Sequence, residues 1–255
     1  MRAPRALLSL LTLALAAACA APRTAPLAPE RPEWTVIGTS AEERPVRALE
    51  TGSRRADAPR VALITGIHGD EPEGLPHVPA LLAALADAPA RIRVIEDISP
   101  DGTARGTRHT ASGVDPNRNW PAQNFTPAAD RGPRPLSEPE VAAAHADLVR
   151  FDPELVIVLH SSRRGPFVNY DGPAAGYAEV FAAAAGAPWH VVPDMGYATP
   201  GSFGSWMGKD RNIPTLTVEL RRGAPPEECG PPLLRAVPAT IAAFVSGEDP
   251  RPRVR

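Results

Sequence analysis

His68 and Glu71 are separated by two residues and follow directly on the apolar run Val61–Gly66, which glycine closes. They sit in a glycine-bearing turn, Ile67-His68-Gly69-Asp70-Glu71-Pro72-Glu73-Gly74. That spacing lets an imidazole nitrogen and a carboxylate oxygen reach one cation at ~2.0–2.2 Å. Zinc needs at least one more protein ligand and prefers nitrogen. His160, which ends the apolar run Leu155–Leu159, is the candidate. Two histidines and one glutamate leave a fourth position open for water, which is the catalytic arrangement rather than the structural one. His-x-x-Glu alone is a weak signal, because it arises often by chance.

Such ligands are useful only if strands hold them at one edge. Short opening strands are predicted at Trp34–Gly38 and Val46–Glu50. Further strands are predicted at Val61–Gly66, Ile92–Ile98, Leu155–Leu159, Trp189–Val192 and Thr215–Leu220. Helices are predicted at Val78–Ala86, from a Ser137-Glu138-Pro139-Glu140 capping box to about Arg150, and at Ala174–Gly186 and Leu233–Val245. Alternating strands and helices imply an α/β three-layer sandwich, with a mixed, mostly parallel central sheet flanked by helices. Histidine at the end of an apolar strand lies where ligands gather in such folds, at the carboxyl edge of the sheet. The stretch Pro100–Leu136 carries little regular structure, and loops that long in a compact domain are usually functional.

Charge and composition narrow the partners. The 255 residues hold 27 Lys+Arg against 29 Asp+Glu, a balance that argues against a nucleic-acid protein. Hydrophobic residues at 43% and charged residues at 22% fit a globular domain rather than a disordered one. No repeat or internal linker is visible. The only cysteines, Cys19 and Cys229, exclude a disulfide scaffold and a cysteine-rich zinc finger. Arg2 and Arg5 precede an apolar run from Ala6 to Ala18, the pattern of an export signal. It ends Leu15-Ala16-Ala17-Ala18-Cys19, which resembles a bacterial lipobox despite Ala16 in the branched position. The organisation expected is a leader over 1–18, lipidation at Cys19, a Pro/Ala-rich tether over 19–32 and a catalytic domain over 33–248. A lipid anchor would then be the protein's one link to a membrane, in the periplasm or cell envelope. Cys229 is left a lone thiol with a passive role.

Further motifs match a known family. Arg108-His109-Thr110-Ala111-Ser112-Gly113-Val114-Asp115-Pro116-Asn117-Arg118-Asn119-Trp120 resembles the zinc carboxypeptidase signature. Pro135–Glu140 resembles that family's Ser-Glu-Pro-Glu helix start, and Pro214–Leu220 the strand carrying its catalytic glutamate. With Gly201–Trp206 and the His68/Glu71 turn, these segments cover nearly all of residues 60 to 221 in family order. The chain resembles the M14 metallocarboxypeptidases, and most closely their small bacterial branch, the murein peptide amidases.

The resemblance implies one zinc held by His68, Glu71 and His160, and Glu219 as general base and then acid. It implies Asn117 and Arg118 docking a substrate carboxylate, a task that suits the fork of a guanidinium. Asp115 would orient His68, Arg108 would stabilise the oxyanion, and Tyr197 would stand near the family's mobile tyrosine. The substrate implied is a peptide or peptidoglycan fragment, with the γ-D-glutamyl-diaminopimelate bond as one target. Pro116 replaces a common leucine, and Thr110 a frequent asparagine. Two other readings remain open: an aspartoacylase or succinylglutamate-desuccinylase-like deacylase, and a non-catalytic wall-binding lipoprotein. The export signal disfavours the first, and the intact ligand and base set disfavours the second. Asp70 and Glu73 are expected to shape the turn, and His77, His109, His145 and His190 to be ordinary surface or core residues.

Overall fold

The computed structural model describes residues 33–247. The expected leader, Cys19 and tether lie outside them. Seven strands form one sheet: β1 Thr35–Thr39, β2 Pro45–Gly52, β3 Arg60–Ile64, β4 Arg91–Ile95, β5 Leu155–Ser162, β6 Phe167–Asp171 and β7 Thr215–Arg221. Their order is β1-β2-β4-β3-β5-β7-β6. β4, β3, β5 and β7 are parallel neighbours at the centre, and β1, β2 and β6 extend the sheet antiparallel at its two flanks. The central strands are apolar along their length because both faces are covered.

Helices α1 (Val78–Leu85), α4 (Ala175–Ala185) and α5 (Pro226–Ser246) cover one face, packed on Leu63, Ile157, Leu216 and Val218. α3 (Pro139–Phe151) and the segment Phe203–Met207 cover the other, on Ile64, Val156 and Val158. A fifth helix, α2, is a short turn of helix over Pro100–Arg105 inside the long connection. By length and composition alone α5 could cross a membrane. Its apolar stripe, Leu233, Val237 and Ile241, is instead buried in the core.

Several predicted boundaries shift. β6 is an edge strand that the sequence reading misses, because Asn169 and Asp171 interrupt its apolar pattern. Trp189–Val192 is not a strand. It bridges the β6 backbone at one residue, where Val168 N–H donates to His190 O (2.9 Å) and Val192 N–H to Val168 O (2.8 Å), and Asn169 Nδ2 donates to Val192 O (2.8 Å). Pro188 and Pro193 on either side supply no N–H to extend that ladder. The capping box does not form. Pro139 takes the first helical position and forces Glu138 into extended backbone, so Glu138 becomes the N-cap with no side-chain cap. Ser137 Oγ accepts from Asn119 Nδ2 instead (2.9 Å). α5 begins at Pro226 rather than Leu233 and runs through Pro231 and Pro232.

Glu140, in the first turn of α3, is fully buried and its carboxyl has no ion-pair partner among the described residues. Burial, opposed by the backbone N–H groups of Glu140 and Ala41 and reinforced by Glu138 and Asp101, pushes its pKa up to about 7. A carboxyl raised in the folded state stabilises the protein below its unfolded pKa and loses that contribution as pH rises towards 7. Glu140→Gln should therefore gain about 1–2 kcal/mol at pH 8, a Tm rise of several degrees, and gain nothing at pH 4.5. Thermal unfolding at the two pH values checks this; an equal change at both would refute the titration.

Candidate metal centre and active-site cleft

The site is built on the carboxyl ends of β3, β5 and β7. The chain leaves β3 and places His68 and Glu71 in the following turn. Gly69 is required there, because a Cβ would fall 1.9 Å from the Gly102 carbonyl carbon of α2. His160 and Glu219 are register partners on β5 and β7, so their side chains share one sheet face. All four side chains are buried.

One ligand atom from each of His68, Glu71 and His160 lies within 4.8 Å of the others, the one such set among the described residues. His160 Nδ1 is 2.8 Å from Glu71 Oε2, which also accepts from Ser161 N–H (3.1 Å). His68 Nε2 is 3.1 Å from Asp115 Oδ1. Because an ionised carboxylate only accepts, that contact puts the proton on Nε2 and leaves Nδ1 with a bare lone pair. Nδ1 is buried without a hydrogen-bond partner, 3.0 Å from Glu71 Oε1. Two acceptors facing each other at that distance in a buried pocket call for a cation between them. A nitrogen, a nitrogen and a carboxylate are also the donor set that zinc prefers. The residues therefore fit a zinc ion.

The facing carboxylates draw positive charge into this pocket, whether a proton or a metal ion carries it. Burial opposes charge on His68, but Asp115 and Glu71 outweigh it and hold the imidazole pKa above its ordinary value. Burial likewise opposes ionisation of Glu71 and Asp115. The facing histidines dominate in both cases, with Arg108 also acting on Asp115, and hold both carboxyls well below the usual range. Glu219 behaves oppositely: burial raises its pKa, and the attraction of His160, His68 and Arg108 does not fully offset it. Its carboxylate makes no hydrogen bond or ion pair and lines the cleft, so it is free to accept a proton.

The cleft has a volume of about 560 Å³ and is lined by the proposed ligands, Glu219, Arg108, Asn117, Arg118 and Tyr197. Asp115 lies behind His68. Its Oδ1 also accepts Asn117 N–H (2.8 Å), capping a 3₁₀ turn over Pro116–Arg118, and its Oδ2 accepts Arg108 Nε–H (3.0 Å). Pro116 occupies the first position of that turn, where its missing N–H costs nothing. Asn117 Oδ1 accepts Phe203 N–H (2.9 Å), while the Arg118 guanidinium reaches only its neighbour's carbonyl and has no ion-pair partner. Thr110 donates to Glu138 Oε2 (2.7 Å), and Asn119, fully buried, ties Arg131, Ser137 and Glu138 together, so the long connection is anchored to the start of α3. Tyr197 is 56% exposed on the rim.

One residue escapes the sequence reading. Arg222 donates to Glu71 Oε1 (3.0 Å) and Asp70 Oδ2 (3.1 Å), bracing the ligand carboxylate beside Arg108, which donates to the same oxygen (3.2 Å). Its place just past β7 was the available signal. Asp70 and Glu73 shape the turn as expected, Glu73 by accepting Gly223 N–H (2.7 Å). His109 and His190 are exposed, the His145 ring lies tilted against Trp206 and His77 is buried against Gly230. Cys229 is buried, and burial pushes its thiol up to about 11, which makes it unreactive.

Known proteins match this chain along most of its length. A model of the zinc carboxypeptidase family, Peptidase M14, matches residues 23–229. Murein peptide amidase A of Escherichia coli K12 is 33% identical over 175 residues, covering 62% of this chain and 69% of that protein. The Vibrio campbellii protein of the same name is 32% identical, covering 63% and 69%. The crystal structure of murein-tripeptide amidase from Escherichia coli O157 superimposes with a TM-score of 0.65 at 28% identity, over 83% of this chain and 92% of that one. Bovine thrombin-activatable fibrinolysis inhibitor shares the fold, with a TM-score of 0.71 at 20% identity over 86% and 91% of the two chains. The chain belongs to the M14 zinc carboxypeptidase family, hydrolases that act on peptide bonds with zinc as cofactor.

Proposed function

We propose that this enzyme cleaves a peptide or amide bond next to a free carboxylate in peptidoglycan stem peptides, outside the cytoplasm. The observation that carries the reading is the uncommitted Glu219 carboxylate beside the buried His68–Glu71–His160 cluster, with the unpaired Arg118 guanidinium in the same cleft. His68, Glu71 and His160 would hold the zinc, which when bound polarises a carbonyl and acidifies water as a Lewis acid. Glu219 removes the proton from the attacking water and delivers it to the leaving amine. Arg108 donates to the oxygen that gains charge, and Asp115 keeps His68 in one tautomer. Asn117 and Arg118 seat the substrate carboxylate, with Tyr197 on the rim. The murein peptide amidase relatives support the substrate class. The export leader and a lipidated Cys19 would put the enzyme in the envelope, where that substrate is. Mass spectrometry of purified stem peptides after incubation with the enzyme tests the reading. Loss of one residue or fragment at an amide bond beside a free carboxylate is the expected result, and unchanged peptides would overturn it.

Arg118→Ala should lower kcat/KM by ~30-fold or more, because a charge-assisted bidentate contact to a carboxylate is lost. Amidating that carboxylate should carry a similar penalty with the wild-type enzyme and little more with Arg118→Ala. If the two penalties add, Arg118 does not contact the carboxylate.

A further inference from the structure

Glu71 carries two guanidiniums on one oxygen. Arg108 Nη1 donates to Oε1 from 3.2 Å and Arg222 Nη2 from 3.0 Å. His68 Nδ1 lies 3.0 Å from the same oxygen, but with its proton on Nε2 that ring supplies no donor there. Among the described residues Oε1 therefore depends on the two arginines, while Oε2 has the Ser161 N–H. A carboxylate only 6% exposed cannot turn to water when a donor leaves.

The two arginines are anchored differently. Arg108 is gripped from behind: Nε and Nη2 both donate to Asp115 Oδ2, at 3.0 and 2.9 Å. Nη1 is the arm left over, and its contact with Glu71 is the longest of the three. The side chain lines the cleft, so a small tilt carries Nη1 to a substrate oxygen while Asp115 keeps its hold. Arg222 is tied to the metal-ligand turn instead. Its fork spans neighbouring residues, with Nη1 on Asp70 Oδ2 (3.1 Å) and Nη2 on Glu71 Oε1. Its own N–H donates to Ser162 O (2.9 Å), and the Gly223 N–H that follows goes to Glu73 Oε1 (2.7 Å). One arginine is built to stay on Glu71, and the other has an arm to spare.

We propose that Arg222 is a positioning residue that releases Arg108 for the reaction: by keeping a guanidinium on Glu71 Oε1, it lets Arg108 Nη1 transfer from Glu71 to the substrate oxygen that gains charge. This rests on the reading of Arg108 as the donor to that oxygen. Without Arg222, the transfer strips a buried carboxylate oxygen of its last guanidinium, and Arg108 stays where it is. The penalty falls on the transition state, because the oxygen calls for the donor only as its charge develops.

The experiment compares wild type, Arg222→Met, Arg108→Met and the double variant, each loaded with zinc, on a γ-D-glutamyl-meso-diaminopimelate stem peptide. Arg108→Met should lower kcat by ~10²-fold, the worth of one such donor. Arg222→Met should lower kcat by about tenfold or more while KM stays within about threefold, the mark of an interaction made only in the transition state. The double variant should be no slower than Arg108→Met, because the second substitution acts through the first residue. Arg222→Lys, which keeps one charged donor for Glu71, should restore kcat to within about fivefold of wild type. Zinc affinity, from chelator competition, should stay within about fivefold in Arg222→Met; a ~10²-fold weakening would make Arg222 a brace of the metal and overturn the inference. Penalties that multiply in the double variant would overturn it too. If Arg108→Met turns over like wild type, the reading of Arg108 fails and the inference falls with it.

Inorganic phosphate reads the same arm without turnover. The zinc-dependent part of its affinity, from titration calorimetry, should weaken about tenfold in Arg222→Met and in Arg108→Met, and no further in the double variant. If the stem peptide is not cleaved, the substrate reading fails, and phosphate decides the inference alone: affinity that Arg222→Met leaves unchanged refutes it.

Discussion

Replacing Glu219 by glutamine should leave fold and metal content unchanged and lower kcat by ~10³-fold or more, since one group serves as base in the first step and acid in the second. The size follows from the surroundings. Glu219 is 8% exposed and makes no hydrogen bond, so the amide loses no partner and fits the same space. What it loses is the capacity to take a proton. Of the other carboxylates lining the cleft, Glu71 is engaged by His160, Ser161, Arg108 and Arg222, Asp171 is paired with Lys209, and Asp194 accepts the Gly196 N–H away from the buried ligand cluster. Steady-state kinetics beside metal analysis of the same preparation is the measurement. A kcat within tenfold of wild type would remove Glu219 from the reaction.

His160→Ala should weaken zinc binding by at least ~10²-fold and reduce activity to background, because outer contacts alone are worth 10- to 100-fold and His160 is proposed as a direct ligand. The effect can be read without turnover. Zinc should raise the Tm of the wild-type protein by binding the folded state, and that rise should vanish in the variant. Loss of the imidazole also removes the closest partner of Glu71 Oε2, leaving that oxygen with the Ser161 N–H. Full zinc occupancy at stoichiometric metal would exclude His160 as a ligand.

His68 and His160 are legible as candidates because each stands where an apolar run stops, and a strand end is a local signal; Glu71 is legible only through its spacing from His68. Glu219 and Arg118 became legible through the motifs around them rather than through their own neighbourhood. The pairing of His160 with Glu219 was not, since register between β5 and β7 depends on packing across nearly sixty positions of chain. β6 escaped for a related reason: an edge strand carrying polar residues toward a cleft lacks the apolar alternation that marks a strand facing a core. The false strand at Trp189–Val192 had the right side chains but two flanking prolines that limit its ladder. Arg222 meets Glu71 and Asp70 from about 150 positions away, a contact that no local pattern encodes.

The Asp115 carboxylate has a consequence for how such an enzyme can diversify. One oxygen holds His68 and the start of the Asn117–Arg118 turn, and the other holds Arg108. His68, Arg108 and the Asn117–Arg118 turn, the proposed metal ligand, charge-stabilising donor and carboxylate dock, are thus mechanically yoked to a single group. A shift at residue 115 would alter metal affinity, turnover and substrate affinity together, so selection cannot adjust one without the others. Variation in what the enzyme accepts must enter from the opposite wall, where β6 and the Ser205–Asp210 turn carry no part of that yoke. A substitution on β6 or in that turn would leave every contact of Asp115 in place.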